Sequence, residues 1–98
     1  MKIRYDIQAK RDFLDIKCYL LAHSSAASAN RVRLNITKRI NQLAHAPYLG
    51  VVTSEPSIRI LAPTAYPYRI YYTVTETAIV VLHIRHTARQ SPDLKELK

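Results

Sequence analysis

Residues 66–86 read YPYRIYYTVTETAIVVLHIRH, and the repeat of their apolar side chains decides the fold. Tyr66, Tyr68, Ile70, Tyr72 and Val74 alternate with Pro67, Arg69, Tyr71 and Thr73. After the polar connection Thr75-Glu76-Thr77, Ala78, Val80, Leu82 and Ile84 alternate with Ile79, Val81, His83 and Arg85. A repeat of two is the period of a strand, so the segment predicts an antiparallel hairpin. Upstream, Ile58-Arg59-Ile60 has the same period, and Pro63 interrupts between them, which predicts a third strand of one meander.

Toward the N-terminus the period changes. Lys2–Tyr5 alternates as a short strand, with Ile3 and Tyr5 on one side, and Asp6 then stands where a helix cap belongs. Ala9, Phe13, Ile16 and Leu20 recur at helical spacing, as do Ala29, Val32, Ile36, Ile40 and Leu43. Ser24 and Ser25 are candidate caps for the second helix, and Pro47 stops it. The join between the helices is short, so they should form an antiparallel hairpin. The expected fold is α+β: a strand, a helical hairpin, then a three-stranded antiparallel meander with the helices packed on one face of the sheet. The charged ending DLKELK is expected to be disordered or a short helix.

At 98 residues and 48% apolar content, the chain fits one domain spanning 1–98 with a core of its own. One cysteine, Cys18, allows no internal disulfide and is most simply a small core or boundary residue. MKIRYDIQAK lacks the apolar run of a signal peptide, and nothing approaches the roughly 20 apolar residues of a membrane span, so a soluble, cytoplasmic protein is expected. Fifteen Lys and Arg against seven Asp and Glu give a net charge of +8, a potential that draws polyanions or an acidic protein partner.

Strict alternation assigns faces. If Ile58, Ile60, Tyr68, Ile70, Tyr72, Val80, Leu82 and Ile84 meet the helices, then Arg59, Arg69, Tyr71, His83 and Arg85 point away, with Ile79 and Val81 beside them. Such a face suits phosphates and stacked bases, since guanidiniums pair with phosphate oxygens and aromatic rings stack on bases, or its apolar positions form a groove that a partner segment fills; it is also what a solvated sheet face ordinarily looks like. His83 and His86 stand three apart on a strand, so their rings point to opposite faces and do not share a metal; no cofactor or metal motif is present, and one glycine cannot build a phosphate loop.

Several stretches together resemble the RelE/ParE superfamily, the toxins of bacterial toxin–antitoxin modules also called plasmid stabilisation proteins. They are Ala9, Asp12, Phe13, Ile16 and Tyr19; Ile40 and Leu43 with Pro47 and Gly50; Ile58-Arg59-Ile60-Leu61; YPYRIYYTV; and VLHIRHTAR, whose His86-Thr87-Ala88-Arg89 is similar to the family's His-Gly-Ala-Arg close with Thr87 in place of glycine. The resemblance implies a growth-inhibiting toxin bound by a cognate antitoxin. ParE-like members act on DNA gyrase, and the helical hairpin with YPYRIYY and HTAR looks more like that side. The alternatives are a RelE-like endoribonuclease that cuts messenger RNA on the ribosome, or a nontoxic module that binds antitoxin. As a nuclease the chain would draw on Arg59, Arg69, Tyr71, His83, Arg85 and His86 for cations and proton transfer. As a binder of target or antitoxin it would use Arg59, Arg69, Tyr71, Ile79, Val81, His83, Arg85 and Arg89. A structural reading instead has His86 anchoring the end of its strand and Arg89 paired with Asp12 or Asp15.

Overall fold

The computed structural model describes residues 1–62, 65–88 and 92–94. Its elements follow the expected order: β1 (Lys2–Tyr5), α1 (Ile7–His23), α2 (Ala26–Asn41), a 3-10 turn (Gln42–Ala44), β2 (Val51–Val52), β3 (Arg59–Leu61), β4 (Tyr68–Val74) and β5 (Ala78–His86). The Asp6 carboxylate accepts the Ile7 N–H at 3.0 Å, and Ser25 Oγ accepts the Ser28 N–H at 3.0 Å, so both helices start at residues able to satisfy an orphan donor. Pro47 stands three residues beyond Ala44, the last residue of the turn that ends α2. No helix among the described residues is long and apolar enough to cross a membrane.

The sheet has five strands in the order β1-β5-β4-β3-β2. The meander β3-β4-β5 is antiparallel as expected. Two additions frame it. β1 pairs parallel with β5, Lys2 opposite Ala78 through Tyr5 opposite Val81, which places the first and last strands side by side. β2, two residues long, extends the other edge by pairing with β3.

The helices cover one face. Their stripes, Ala9 from α1 and Val32, Ile36 and Ile40 from α2, with Leu43 of the turn, pack on Leu61, Tyr68, Ile70, Tyr72, Ile79, Val81 and Ile84. The far face has its own apolar cluster, in which Ile58, Tyr71 and Leu82 are buried and Ile60, Val80 and Leu94 pack on them. Leu94 therefore holds the described end of the chain against the far face of the sheet.

These clusters correct the faces expected from alternation. The pairing of β4 with β5 steps from Tyr71–His83 to Tyr72–Val81, leaving Leu82 as one extra residue on β5. This is a β-bulge, in which two residues oppose one. Below it the alternation continues from Ile84; above it the phase is reversed, so Ile79 and Val81 are fully buried under the helices and Val80 and Leu82 belong to the far face. β3 is reversed as well: Leu61 faces the helices while Ile58 and Ile60 join the far cluster. Cys18 is exposed on α1, neither core nor boundary. Pro63 lies outside the described residues.

Candidate functional site

The bulge gives the far face of β4 and β5 its chemistry. Arg69 and Arg85 are directly opposite each other across the two strands, one pair below Ile70–Ile84, whose side chains enter the core, so the guanidinium-bearing side chains start from the far face. Tyr71 shares that face two residues along, opposite His83. Its ring is only 1% exposed, sealed by Ile58 and Leu82.

His83 is buried although polar, and Asp12 and Arg85 engage its two ring nitrogens. β1 accompanies β5 only as far as Val81. Beyond that point the edge of β5 is taken over by α1, from which Asp12 reaches in at 7% exposure. Asp12 Oδ2 accepts the Ile84 N–H at 2.8 Å and contacts His83 Nδ1, while Gln8 Nε2 donates to Oδ1 at 3.0 Å. The carboxylate thus replaces a missing strand at this position, satisfying a backbone donor that would otherwise be orphaned. On the other side of the ring, His83 Nε2 lies 3.0 Å from Arg85 Nη2. A guanidinium has donors only, so Nε2 accepts and the ring proton sits on Nδ1, aimed at Asp12. The result is a directed chain: Arg85 donates to His83, and His83 donates to Asp12.

The other candidates are dispersed. Arg59 is not on this face: its register partner is Tyr72, and its Nη1 donates to the Gly50 carbonyl at 2.8 Å while the guanidinium lies 4.9 Å from the centre of the Tyr48 ring. Burial of Ile79 and Val81 removes them from any contact surface. His86 is on the helix side, its ring edge-on to Tyr68 and its Nδ1 accepting the Ala88 N–H at 3.0 Å, an anchor for the end of β5. Arg89 lies outside the described residues. Arg69, Tyr71, His83 and Arg85 are therefore the predicted residues that come together. Asp12, expected as a partner for Arg89, is instead held by His83 and the Ile84 N–H; its place three after Ala9 and four before Ile16 puts it inside the buried stripe, which is the signal of a buried partner.

Around Gly50 a second polar knot forms. Tyr72 Oη donates to the Pro47 carbonyl at 2.8 Å and accepts the Gly50 N–H at 2.8 Å. Burial pushes the Tyr72 phenol above its ordinary value, with the Gly50 N–H and the Arg59 charge working in the opposite direction.

Between α1 and α2, with Tyr5 of β1 among its lining, lies a groove of about 690 Å³. Phe13, Leu14, Ile16, Leu21 and Ala29 make it apolar, and Lys10, Lys17 and Arg33 stand along it with no acidic residue among its lining. Leu14 and Leu21 are about half exposed, at 58% and 47%, an apolar stripe on α1 that the described residues leave open to solvent.

Solved structures share this architecture. A chain of the chromosomal ParDE TA system from P. aeruginosa matches with a TM-score of 0.79 at 18% identity, over 88% of this chain and 95% of that one. The isolated E. coli RelE toxin matches with a TM-score of 0.64 at 14% identity, over 92% of this chain and 87% of that one. At such identities the likeness is one of fold. No curated protein sequence matches significantly. The family model for the ParE toxin of the type II toxin–antitoxin system parDE, however, matches residues 3–91, so it runs from β1 through the helical hairpin and the whole sheet. A sequence match of that extent, on a fold shared with the ParDE structure, means that the chain belongs to the ParE toxin family.

Proposed function

We propose that this chain arrests growth by binding DNA gyrase, without breaking a bond itself, and that an acidic, amphipathic helix of its cognate antitoxin neutralises it in the cytoplasm. The observation that carries the choice of binding over RNA cleavage is the commitment of the histidines. His83 uses Nδ1 on Asp12 and Nε2 on Arg85, and His86 uses Nδ1 on the Ala88 N–H. A general acid or base must reach the proton it moves; both nitrogens of His83 are engaged within the fold, and His86 has Nδ1 so engaged. The antitoxin part rests on the groove between α1 and α2, because an apolar trough with cations along it suits a helix with one apolar face and acidic flanks.

The test is a supercoiling assay with purified protein and gyrase, run beside a ribosome-programmed translation reaction. Inhibited supercoiling with intact messenger is the expected result. Messenger fragments cut at ribosome-occupied sites, with supercoiling untouched, would replace this reading by the endoribonuclease.

A further inference from the structure

The two outer strands of the sheet, β1 and β2, are finished differently. On β1 the exposed positions are Lys2 and Arg4, cations of the kind that keep an edge from pairing with another strand. β2 carries none. Tyr48, Leu49, Val51 and Val52 are 67%, 45%, 74% and 50% exposed, and between Arg39 and Arg59 the sequence has no lysine or arginine, its longest such interval. The backbone of this edge has a defined opening. Thr53 N–H donates to the Ile58 carbonyl at 3.1 Å, and Val52 stands opposite Arg59, one position before that bonded pair. Bonded and non-bonded pairs alternate along an antiparallel ladder, so the Val52 N–H and C=O point away from β3 and out of the sheet. Gly50 has the same parity, but its N–H is taken by Tyr72 Oη and its carbonyl by Arg59. Val52 is therefore the position of β2 at which a new strand can bond.

We propose that β2 is a self-association edge, on which a second copy of this chain pairs antiparallel about a two-fold axis beside Val52. Such a contact is isologous: the Val52 N–H of each copy donates to the Val52 carbonyl of the other. Val51 then lies across from Thr53 of the second copy, and Tyr48 and Leu49 extend the apolar edge beyond the bonded pair. A copy of this chain fits better than an acidic segment for two reasons. The cation beside the edge, Arg59, already donates to the Gly50 carbonyl at 2.8 Å and lies over the Tyr48 ring, so an incoming carboxylate gains little there. In a protein of net charge +8, two copies repel each other least where neither presents a cation. The edge is also remote from the groove between the helices, which is lined by Tyr5 of β1. Four strand spacings, about 19 Å, separate β1 from β2, so a dimer leaves both grooves open, and self-association is independent of what the chain inhibits.

Sedimentation equilibrium of the purified toxin over rising concentration provides the test. A monomer–dimer equilibrium is expected, and it should tighten with salt, because salt screens the repulsion between two basic copies. Val52→Pro deletes the outward N–H alone. It should raise the dimer dissociation constant at least about 10-fold while the melting temperature of dilute protein stays that of the parent, since proline is tolerated on an edge strand where its nitrogen faces out. Val51→Pro should instead lower the melting temperature, because the Val51 N–H belongs to the ladder with β3. Val51→Lys keeps the backbone and brings a cation to both copies at the contact, so it should weaken the dimer as much as Val52→Pro does. A chain that is monomeric at every concentration would overturn the proposal, as would a dimer that neither Val52→Pro nor Val51→Lys weakens. A monomeric chain whose complex with the antitoxin is weakened by Val52→Pro would give the edge to the antitoxin instead of a second copy. At 74% exposure Val51 is a surface position, so Val51→Lys decides the matter even if Val52→Pro fails to fold.

Discussion

The carboxylate of Asp12 serves His83 and the strand that carries it at the same time: Oδ2 contacts the imidazole Nδ1 and accepts the Ile84 N–H. One side chain of α1 thereby ties the first helix to the last strand. Asp12→Ala would orphan a buried backbone donor and a buried ring nitrogen together, and should cost about 3 kcal/mol in a urea denaturation. Asp15→Ala, exposed on the same helix, should stay within about 0.5 kcal/mol. Equal stabilities for the two variants would deny the tie.

The bulge at Leu82 makes a prediction opposite to that of uninterrupted alternation. Ile79→Ala should cost roughly 2 to 5 kcal/mol, as for a fully buried aliphatic side chain. Val80→Ala, at a half-buried position of the far face, should cost less than about 1.5 kcal/mol. If Val80 proves the more sensitive, β5 is in the other phase.

Gly50 is fixed by closeness rather than by its backbone angle. A Cβ there would meet Tyr72 Oη at 2.7 Å and the Ile60 carbonyl at 2.8 Å, and a carbonyl within a paired strand cannot swing aside. Gly50→Ala should therefore destabilise by about 1–3 kcal/mol. Tyr72→Phe, which deletes both Oη hydrogen bonds, should cost about 1–2 kcal/mol. Because the two changes act on one contact, the double variant should lose less than the sum, and strict additivity in thermal melts would count against the contact.

Alkaline pH should loosen the domain through Tyr5 and Tyr72. Burial raises both phenols above their ordinary value, and for a group that is neutral when protonated this means that the folded state favours the proton. Stability from these residues is then fully present below the unfolded value of about 10 and is lost as pH rises through the higher folded values. Urea midpoints followed with tyrosinate absorbance should hold steady to about pH 10 and fall beyond it. Tyr5→Phe should flatten the decline, and an unchanged slope in that variant would assign the effect elsewhere.

The groove between the helices predicts a separation of fold from recognition. Leu14 is 58% exposed, so Leu14→Glu should leave the melting temperature close to that of the parent while weakening the complex with the antitoxin by at least about 10-fold, through lost apolar contact and repulsion of acidic flanks. Co-expression should show the same change as toxicity that the antitoxin no longer relieves. Undiminished affinity would place the antitoxin on another surface.

Much of this architecture is legible in the residues. Asp6 and Ser25 begin the helices because each supplies an acceptor where the chain turns into its first turn, and both are visible as caps before the apolar stripes start. The stripe Ala29, Val32, Ile36, Ile40 and Leu43 is buried without exception. The faces of the sheet are harder to read. Residues 79–82, IVVL, are apolar at both parities, so nothing marks the position where the phase reverses, and counting outward from Ile84 carries the error to Ile79. β3 misleads for a related reason. Both faces of this sheet carry an apolar cluster, so Ile58 and Ile60 can be covered on the far side, while Arg59 is satisfied on the near side by the Gly50 carbonyl and the Tyr48 ring. β2 is hidden because two valines in a loop-like segment have no period to display. The partner of Asp12 is the instructive omission: an acid within an apolar stripe signals a buried partner, and His83 lies 71 residues away, beyond the reach of local pattern.

The position of β5 between β1 and β4 sets the order in which this molecule can come into being on the ribosome. Until residues 78–86 have emerged, β1 has no neighbour to pair with, Asp12 has nothing to hold, and the core stripes of both helices face an unfinished sheet. Sheet closure depends on contacts between the two ends of the chain, which are the slowest to form because the intervening loop must first be closed. The nascent protein therefore stays without its tertiary surfaces until β5 has left the ribosome. A ribosome that stalls before residue 78 leaves a fragment lacking β5 entirely, with neither the paired arginines nor a covered core, and such a fragment is a substrate for proteases rather than a functional domain.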